Sequence, residues 1–145
     1  MQHGGMVHAL EEIRRVLQPA GTLIDLRPLA GSWPVDVVSR RETRRAGQVS
    51  DLQQGLEDDA AANRAMAQAA EDRWFARERE QFFPLHYYWD SPKEMQEYVE
   101  EQWADFIEID EPVWQELRSA WSTADADARI RVRARMLITR WKNAV

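Results

Sequence analysis

The sequence contains no cysteine, which rules out disulfides, thiolate metal sites and a cysteine nucleophile. Glycine is sparse: the six glycines fall at positions 4, 5, 21, 31, 47 and 55. That spacing makes neither the GxGxxG loop of dinucleotide sites nor the phosphate loop that ends in glycine, lysine and a hydroxyl residue. His3, His8 and His86 are the only histidines, and their separation gives no helix-borne pair for a metal site. Positive charge is in deficit, with 19 Lys and Arg against 25 Asp and Glu, a net charge of −6. A general phosphate-backbone binder needs the opposite balance, so nucleic acid is not the expected partner. No run reaches the roughly 20 apolar residues of a membrane span, and the opening MQHGGMVHALEE has no basic segment followed by an apolar one. A soluble, unexported, cytoplasmic protein is the expectation.

What is present suits one domain: 145 residues, 44% of them hydrophobic, can build one core but not two independent ones. Seven tryptophans in so short a chain imply several rings in a core or an interface. From the first methionines, Met6, Ala9, Leu10, Ile13, Val16 and Leu17 recur at helical spacing. Pro19 and Gly21 then stop the helix, and TLIDL reads as a strand, apolar enough to be covered on both faces as in a parallel sheet. Residues 35–38 and 46–49 form a hairpin across SRRETRR. Residues 58–82, alanine-rich and free of glycine and proline, read as a long helix with a break expected near Arg73.

FFPLHYYWD is an aromatic loop or short strand. Ser91, Pro92 and Glu94 then spell the start of a capped helix that turns Met95, Tyr98, Val99 and Trp103 inward. DFIEID reads as a strand, and EPVWQELRSAWSTA as a helix carrying Val113, Trp114, Leu117 and Trp121. RIRVRARMLITRW is the clearest strand, with Arg129, Arg131, Arg133 and Arg135 alternating against Ile130, Val132, Ala134 and Met136. The arginine ladder, and the cluster Arg40, Arg41, Arg44 and Arg45, are candidate anion strips, but the acidic residues are numerous enough to pair with them all. The aromatic group His86, Tyr87, Tyr88 and Trp89 is a candidate ligand wall, with core packing as the plainer account.

The phrase EEIRRVLQPAG followed by the apolar TLIDL resembles the entry to the fifth strand of class I S-adenosylmethionine-dependent methyltransferases, with Ala20 in place of the usual first glycine. SPKEMQEYVEEQWADFIEID is similar to that family's late helix and sixth strand, and RIRVRARMLITRWK to its seventh. The resemblance implies an α/β chain with a partial Rossmann-like sheet: strands equivalent to 5-7-6, the last antiparallel, with an inserted hairpin and long helix. Residues 1–30 and 84–145 would be methyltransferase core and 31–83 an insertion, all within one domain.

The family's cofactor-binding half has no counterpart in this sequence. S-adenosylmethionine is therefore implied by resemblance only, with no cofactor bound by this chain alone, and no catalytic residue is assigned. Gln2 and His3 fall where the tail of the loop beside the cofactor would lie, which makes His3 the one cofactor-side candidate. Arg27, expected just past the TLIDL strand, and His86, Tyr87, Tyr88 and Trp89 are the candidates for the acceptor pocket. A sheet cut before its fifth strand leaves the 22–26 edge open, to be covered by the hairpin, by a second copy in a homodimer or by an N-terminal half. The competing functions are the acceptor side of a methyltransferase, probed by cofactor binding, and a non-catalytic dimerisation or partner-binding module, probed by sedimentation. A third, an unrelated small ligand-binding domain, requires that TLIDL and RMLIT not be neighbours.

Overall fold

In the computed structural model, which describes residues 3–144, helix α1 (His3–Val16) is followed by strand β1 (Thr22–Leu29). Between them Gly21 N donates to Gln18 O at 2.9 Å and Ala20 has φ +59°. Proline in the second place and a positive φ in the third is the order of a type II turn. The next residue must be glycine on grounds of contact, because a Cβ at Gly21 would lie 2.8 Å from Gln18 O and from Leu17 Cγ. Buried Asn143 completes the turn, donating from Nδ2 to the carbonyls of Leu17 and Gln18. Leu10 is the buried residue of the α1 stripe, but Ala9 and Val16 are exposed and Val7 packs inward in their place.

The remaining elements are β2 (Pro34–Val38), β3 (Thr43–Gln48), β4 (Ser50–Asp51), α2 (Gln53–Glu71), β5 (Phe75–Trp89), α3 (Pro92–Tyr98), β6 (Ile107–Glu108), α4 (Glu111–Ser122) and β7 (Arg129–Asn143). A single π-helical turn, Val99–Trp103, continues α3. The main sheet has the order β1-β7-β2-β3, with β5 also paired to β7. Thus TLIDL and RMLIT do lie on neighbouring strands. The chain is α/β and its sheet is mostly antiparallel, with no parallel pair among the described residues.

Several expectations are corrected. β1 is not covered on both faces: Thr22, Ile24, Leu26 and Pro28 are exposed while Leu23, Asp25, Arg27 and Leu29 are half-buried. The long helix ends at Glu71 and gives way to strand β5 at Phe75. The stop is a Schellman arrangement: Trp74 N donates to Ala69 O, Arg73 N donates to Ala70 O, and Arg73 takes φ +58° where glycine is usual. DFIEID supplies no strand to the main sheet; its Ile107–Glu108 pairs antiparallel with Ser50–Asp51. The hairpin is as expected, with β3 starting earlier, at Thr43.

The chain divides into two compact units, and both β5 and β7 contribute to each. The first takes the residues up to Leu29, Leu56–Phe83 and those from Met136 on. Its core gathers Leu10, Ala65, Met66, Ala69, Phe75 and Trp141. The second takes Ala30–Gly55 and Pro84–Arg135. Its larger core joins Val35, Val37, Ile130 and Val132 to Met95, Val99, Trp103, Trp114 and Leu117. The expected inward face of α3 is in place, and so is its cap: Ser91 Oγ accepts from Glu94 N at 3.2 Å. The Glu94 carboxylate reaches back one residue further than a standard capping box, to Asp90 N at 3.0 Å. Five tryptophans, at 33, 89, 103, 114 and 141, are buried in these two cores, so the tryptophan count needs no external interface.

Along β7 the buried set changes parity. In the second unit it is Ile130, Val132 and Ala134; in the first it is Leu137, Thr139, Trp141 and Asn143. The consecutive buried pair Met136 and Leu137 marks the change. Within MLIT, Met136, Leu137 and Thr139 are buried and Ile138 is half-buried.

Candidate functional site

The first unit contains a cavity of about 800 Å³, within the usual range for small-molecule sites. Its walls come from β1 (Asp25, Arg27), from α2, from the start of β5, and from the odd-numbered residues Leu137, Thr139 and Trp141 of β7. Met66, Phe75, Leu137 and Trp141 provide the apolar surface. Asp25 and Arg27 are two apart on one strand, so they project to the same side. Arg27 Nε donates to both carboxylate oxygens of Asp25 at 3.1 Å, with both side chains largely buried. Arg27 thus lies within β1 rather than beyond the strand's end, and Asp25, the one acid in TLIDL, is the group that fixes its orientation.

Two donors in this wall have no acceptor. Arg27 Nη1 and Trp141 Nε1 are both buried and unpaired. A buried donor left unpaired costs about 1–3 kcal/mol; Arg131 Nε and Arg133 Nε, beside Asp36, are in the same condition. Two of the three lining acids are engaged: Asp25 with Arg27, and Glu80 with Arg77 and, at 3.4 Å, with Thr139 Oγ1. Formal charges on the lining balance, Arg27, Arg73 and Arg77 against Asp25, Glu71 and Glu80.

Strand alternation splits the aromatic candidates, all of which lie in the second unit, whereas Arg27 belongs to the first. Tyr87 and Trp89 turn into the core, where Tyr87 and Trp103 ring centroids are 4.9 Å apart and Trp89 meets Tyr98 at 5.4 Å. Burial, and secondarily the neighbouring Tyr98 hydroxyl, push the Tyr87 phenol above its ordinary value. His86 and Tyr88 take the other parity. The Arg129 guanidinium lies 4.6 Å from the Tyr88 ring centroid and pairs with Asp90. These four residues therefore form no single pocket wall. His3 begins α1, and its side chain lies outside the described residues.

No family model, curated protein or solved structure matches the chain.

The arginine ladder is engaged in ion pairs. Asp36, 1% exposed, sits on β2 directly between Arg45 of β3 and Arg131 of β7. It accepts from Arg45 Nε at 2.8 Å and Arg131 Nη2 at 3.1 Å, with Arg133 Nε at 3.2 Å. Arg41 pairs with Asp125, and Arg44 donates to Thr123. Among the described residues no three acidic or histidine side chains are grouped to hold a metal, and no helix is long and apolar enough to cross a membrane.

The sequence pointed to Arg27 but missed Trp141, Thr139 and Glu80. The available signal was the second half of β7, where Leu137, Thr139 and Trp141 alternate with Ile138, Arg140 and Lys142.

Proposed function

We propose that this chain is the acceptor-binding portion of an S-adenosylmethionine-dependent methyltransferase-like domain, holding a small molecule in the Arg27 cavity without holding the cofactor itself. The observation that carries the reading is the placement of Arg27 on the strand entered through the QPAG turn. That strand neighbours the RMLIT strand and opens onto a cavity of about 800 Å³. The pairing of both β1 and β5 with β7 supports a 5-7-6 arrangement, with Phe75–Trp89 in the part expected of DFIEID. Methyl transfer requires the acceptor nucleophile to be held in line with the sulfonium methyl, and a rigid, oriented arginine in an apolar wall suits that task.

The residues present do not fit the cofactor. Where glycine permits a close approach, at Gly21, Gly47 and Gly55, the space a Cβ would take is bounded by Gln18 and Leu17, Val113, and Phe106, so each glycine serves protein packing. No step is therefore routed through S-adenosylmethionine. Calorimetry with S-adenosylmethionine and the isolated chain tests this: no binding heat is expected, and a micromolar Kd overturns it.

A second reading, a non-catalytic partner-binding module, is favoured by β1 itself. It ends the strand order, and Ile24 and Leu26 are 50% and 55% exposed. The hairpin pairs with β7 and does not extend the sheet beyond β1. Under this reading a second copy, or an N-terminal half, pairs at residues 22–26. Sedimentation equilibrium would give a dimer for the chain alone, dispersed by Ile24→Asp. A wild-type monomer at high concentration removes the homodimer.

A further inference from the structure

We infer that β1 is a homodimerisation strand: two copies of this chain pair antiparallel along their β1 edges in one register, with Asp25 of each opposite the partner's Arg27. This rests on the second reading above and deepens it by committing to the occupant of the edge and to its alignment.

The direction of the backbone defines the edge. β1 ends the strand order, and just before it Gly21 O accepts from Asn143 N of β7 at 2.8 Å. In an antiparallel ladder the N–H and C=O of one residue point to the same side, and those of the next residue to the other. Exposure along β1 alternates without interruption from Thr22 to Leu29, so no bulge shifts this count. Gly21, Leu23, Asp25 and Arg27 therefore turn their backbone groups to β7, and Thr22, Ile24, Leu26 and Pro28 turn theirs to the open edge. Pro28 agrees with that assignment, because a residue without an N–H is tolerated where the ladder is unpaired.

Side-chain charge then selects the alignment. β1 carries one acid and one base, Asp25 and Arg27, on the same face. Two copies related by a two-fold axis pair only where edge-facing residues meet edge-facing residues. With Leu26 opposite the partner's Leu26, Asp25 lies opposite the partner's Arg27 and Ile24 opposite the partner's Pro28. Each carboxylate then has two guanidinium groups, its own strand's at 3.1 Å and the one across the ladder. Sliding one strand by two residues sets Asp25 against Asp25, or Arg27 against Arg27, and directly opposed like charges destabilise a strand pair. A slide of four sets Asp25 against the partner's Leu23, or Arg27 against the partner's Leu29. On the other face the favoured register covers Ile24 and Leu26, 50% and 55% exposed in the single chain. The strand is thus complementary to itself in charge on one face and in apolar surface on the other.

The absence of native cysteine allows the register to be tested on the intact chain. Leu26→Cys places the two new thiols on directly opposed residues, with Cα atoms about 5.5 Å apart, inside the disulfide range. Ile24→Cys alone leaves them offset by four residues, roughly 14 Å along the strand and beyond that range. Under mild oxidation Leu26→Cys should give a disulfide-linked dimer on a non-reducing gel at least about tenfold faster than Ile24→Cys or Pro28→Cys. Ile24→Cys mixed with Pro28→Cys should crosslink as the mixed pair. In sedimentation, Asp25→Arg and Arg27→Asp should each lose the wild-type dimer and recover it when mixed. Should neither charge variant fold, the cysteine pairs alone decide.

If the wild-type chain is a dimer but Ile24→Cys crosslinks as fast as Leu26→Cys, the register is wrong while the dimerisation reading stands. If folded Asp25→Arg and Arg27→Asp chains stay apart when mixed, the Asp25 and Arg27 pairing is refuted, again leaving that reading in place. A wild-type monomer at high concentration, with no crosslink from Leu26→Cys, overturns both this inference and the homodimer reading.

Discussion

Replacing Asp36 with asparagine should be among the most damaging isosteric changes in the chain. The carboxylate is 1% exposed and has three guanidinium groups within 3.2 Å. Asparagine keeps the volume but removes the charge, leaving Arg45, Arg131 and Arg133 converging on a neutral amide. Removing one partner from a buried ion pair costs about 3–5 kcal/mol, because the remaining charge stays desolvated. The partners are not equally buried, with side-chain exposures of 54% for Arg45, 34% for Arg133 and 19% for Arg131. Arg45 can rehydrate and recover most of its loss, which brings the expected total down to about 2–4 kcal/mol. For a chain of 145 residues that corresponds to a melting temperature lower by about 9 °C. Urea unfolding followed by circular dichroism measures the first quantity and calorimetry the second. Arg45→Met, which removes only the most exposed partner, should cost about 0.5 kcal/mol by the same assay. If the asparagine variant is as mild as Arg45→Met, the three arginines behave as a solvated surface network and the reasoning is refuted.

Arg73→Gly should stabilise by about 0.5–1 kcal/mol in urea unfolding, since an L-residue pays to hold the left-handed conformation at a helix C-terminus; a loss would mean that the Arg73 side chain contributes more than its backbone strain costs. Ala20→Gly should act in the same direction at the Gln18–Gly21 turn. Gly47→Ala should destabilise by about 1–3 kcal/mol, because Gly47 has φ +154° and its new Cβ would lie 2.8 Å from Val113 Cγ2. Adding Val113→Ala should recover only the steric part. The raised Tyr87 pKa gives the protonated folded state an advantage that is fully present below the ordinary value of 10.0 and lost as pH rises through the raised value. Unfolding free energy should therefore decline from pH 10.0 up to the raised value, and decline less in Tyr87→Phe.

Elements whose boundaries are set by local chemistry were legible in the sequence. The QPAG turn, the Ser91 and Pro92 helix start and the alternation of β7 depend on residues within a few positions of one another, and the structure has them. The end of α2 was not legible, because its left-handed stop is occupied by Arg73 and no glycine announces it. Strand β5 was hidden for a related reason: its first half carries charge at both parities and Pro84 interrupts it, as an edge strand tolerates. DFIEID was overread because its apolar residues pack into the second core from a two-residue strand. At the candidate site, Arg27 was singled out because a charged residue near an apolar strand stands out. Trp141 was not, since nothing local ties it to β1. The aromatic run misled because adjacent residues on a strand point to opposite sides.

The parity change in β7 also bears on the order in which the molecule assembles. Arg27 and Trp141 belong to one cavity wall, yet nearly the whole chain lies between them. Long-range closures of this kind are slow, because the chain entropy is lost before the contacts form. During synthesis the second core has all its segments once Arg135 has emerged, whereas the cavity cannot close until Leu137, Thr139 and Trp141 have been added. The cavity is thus completed after the second core has all its segments, and a chain stopped before Leu137 would have those segments without the cavity's β7 wall.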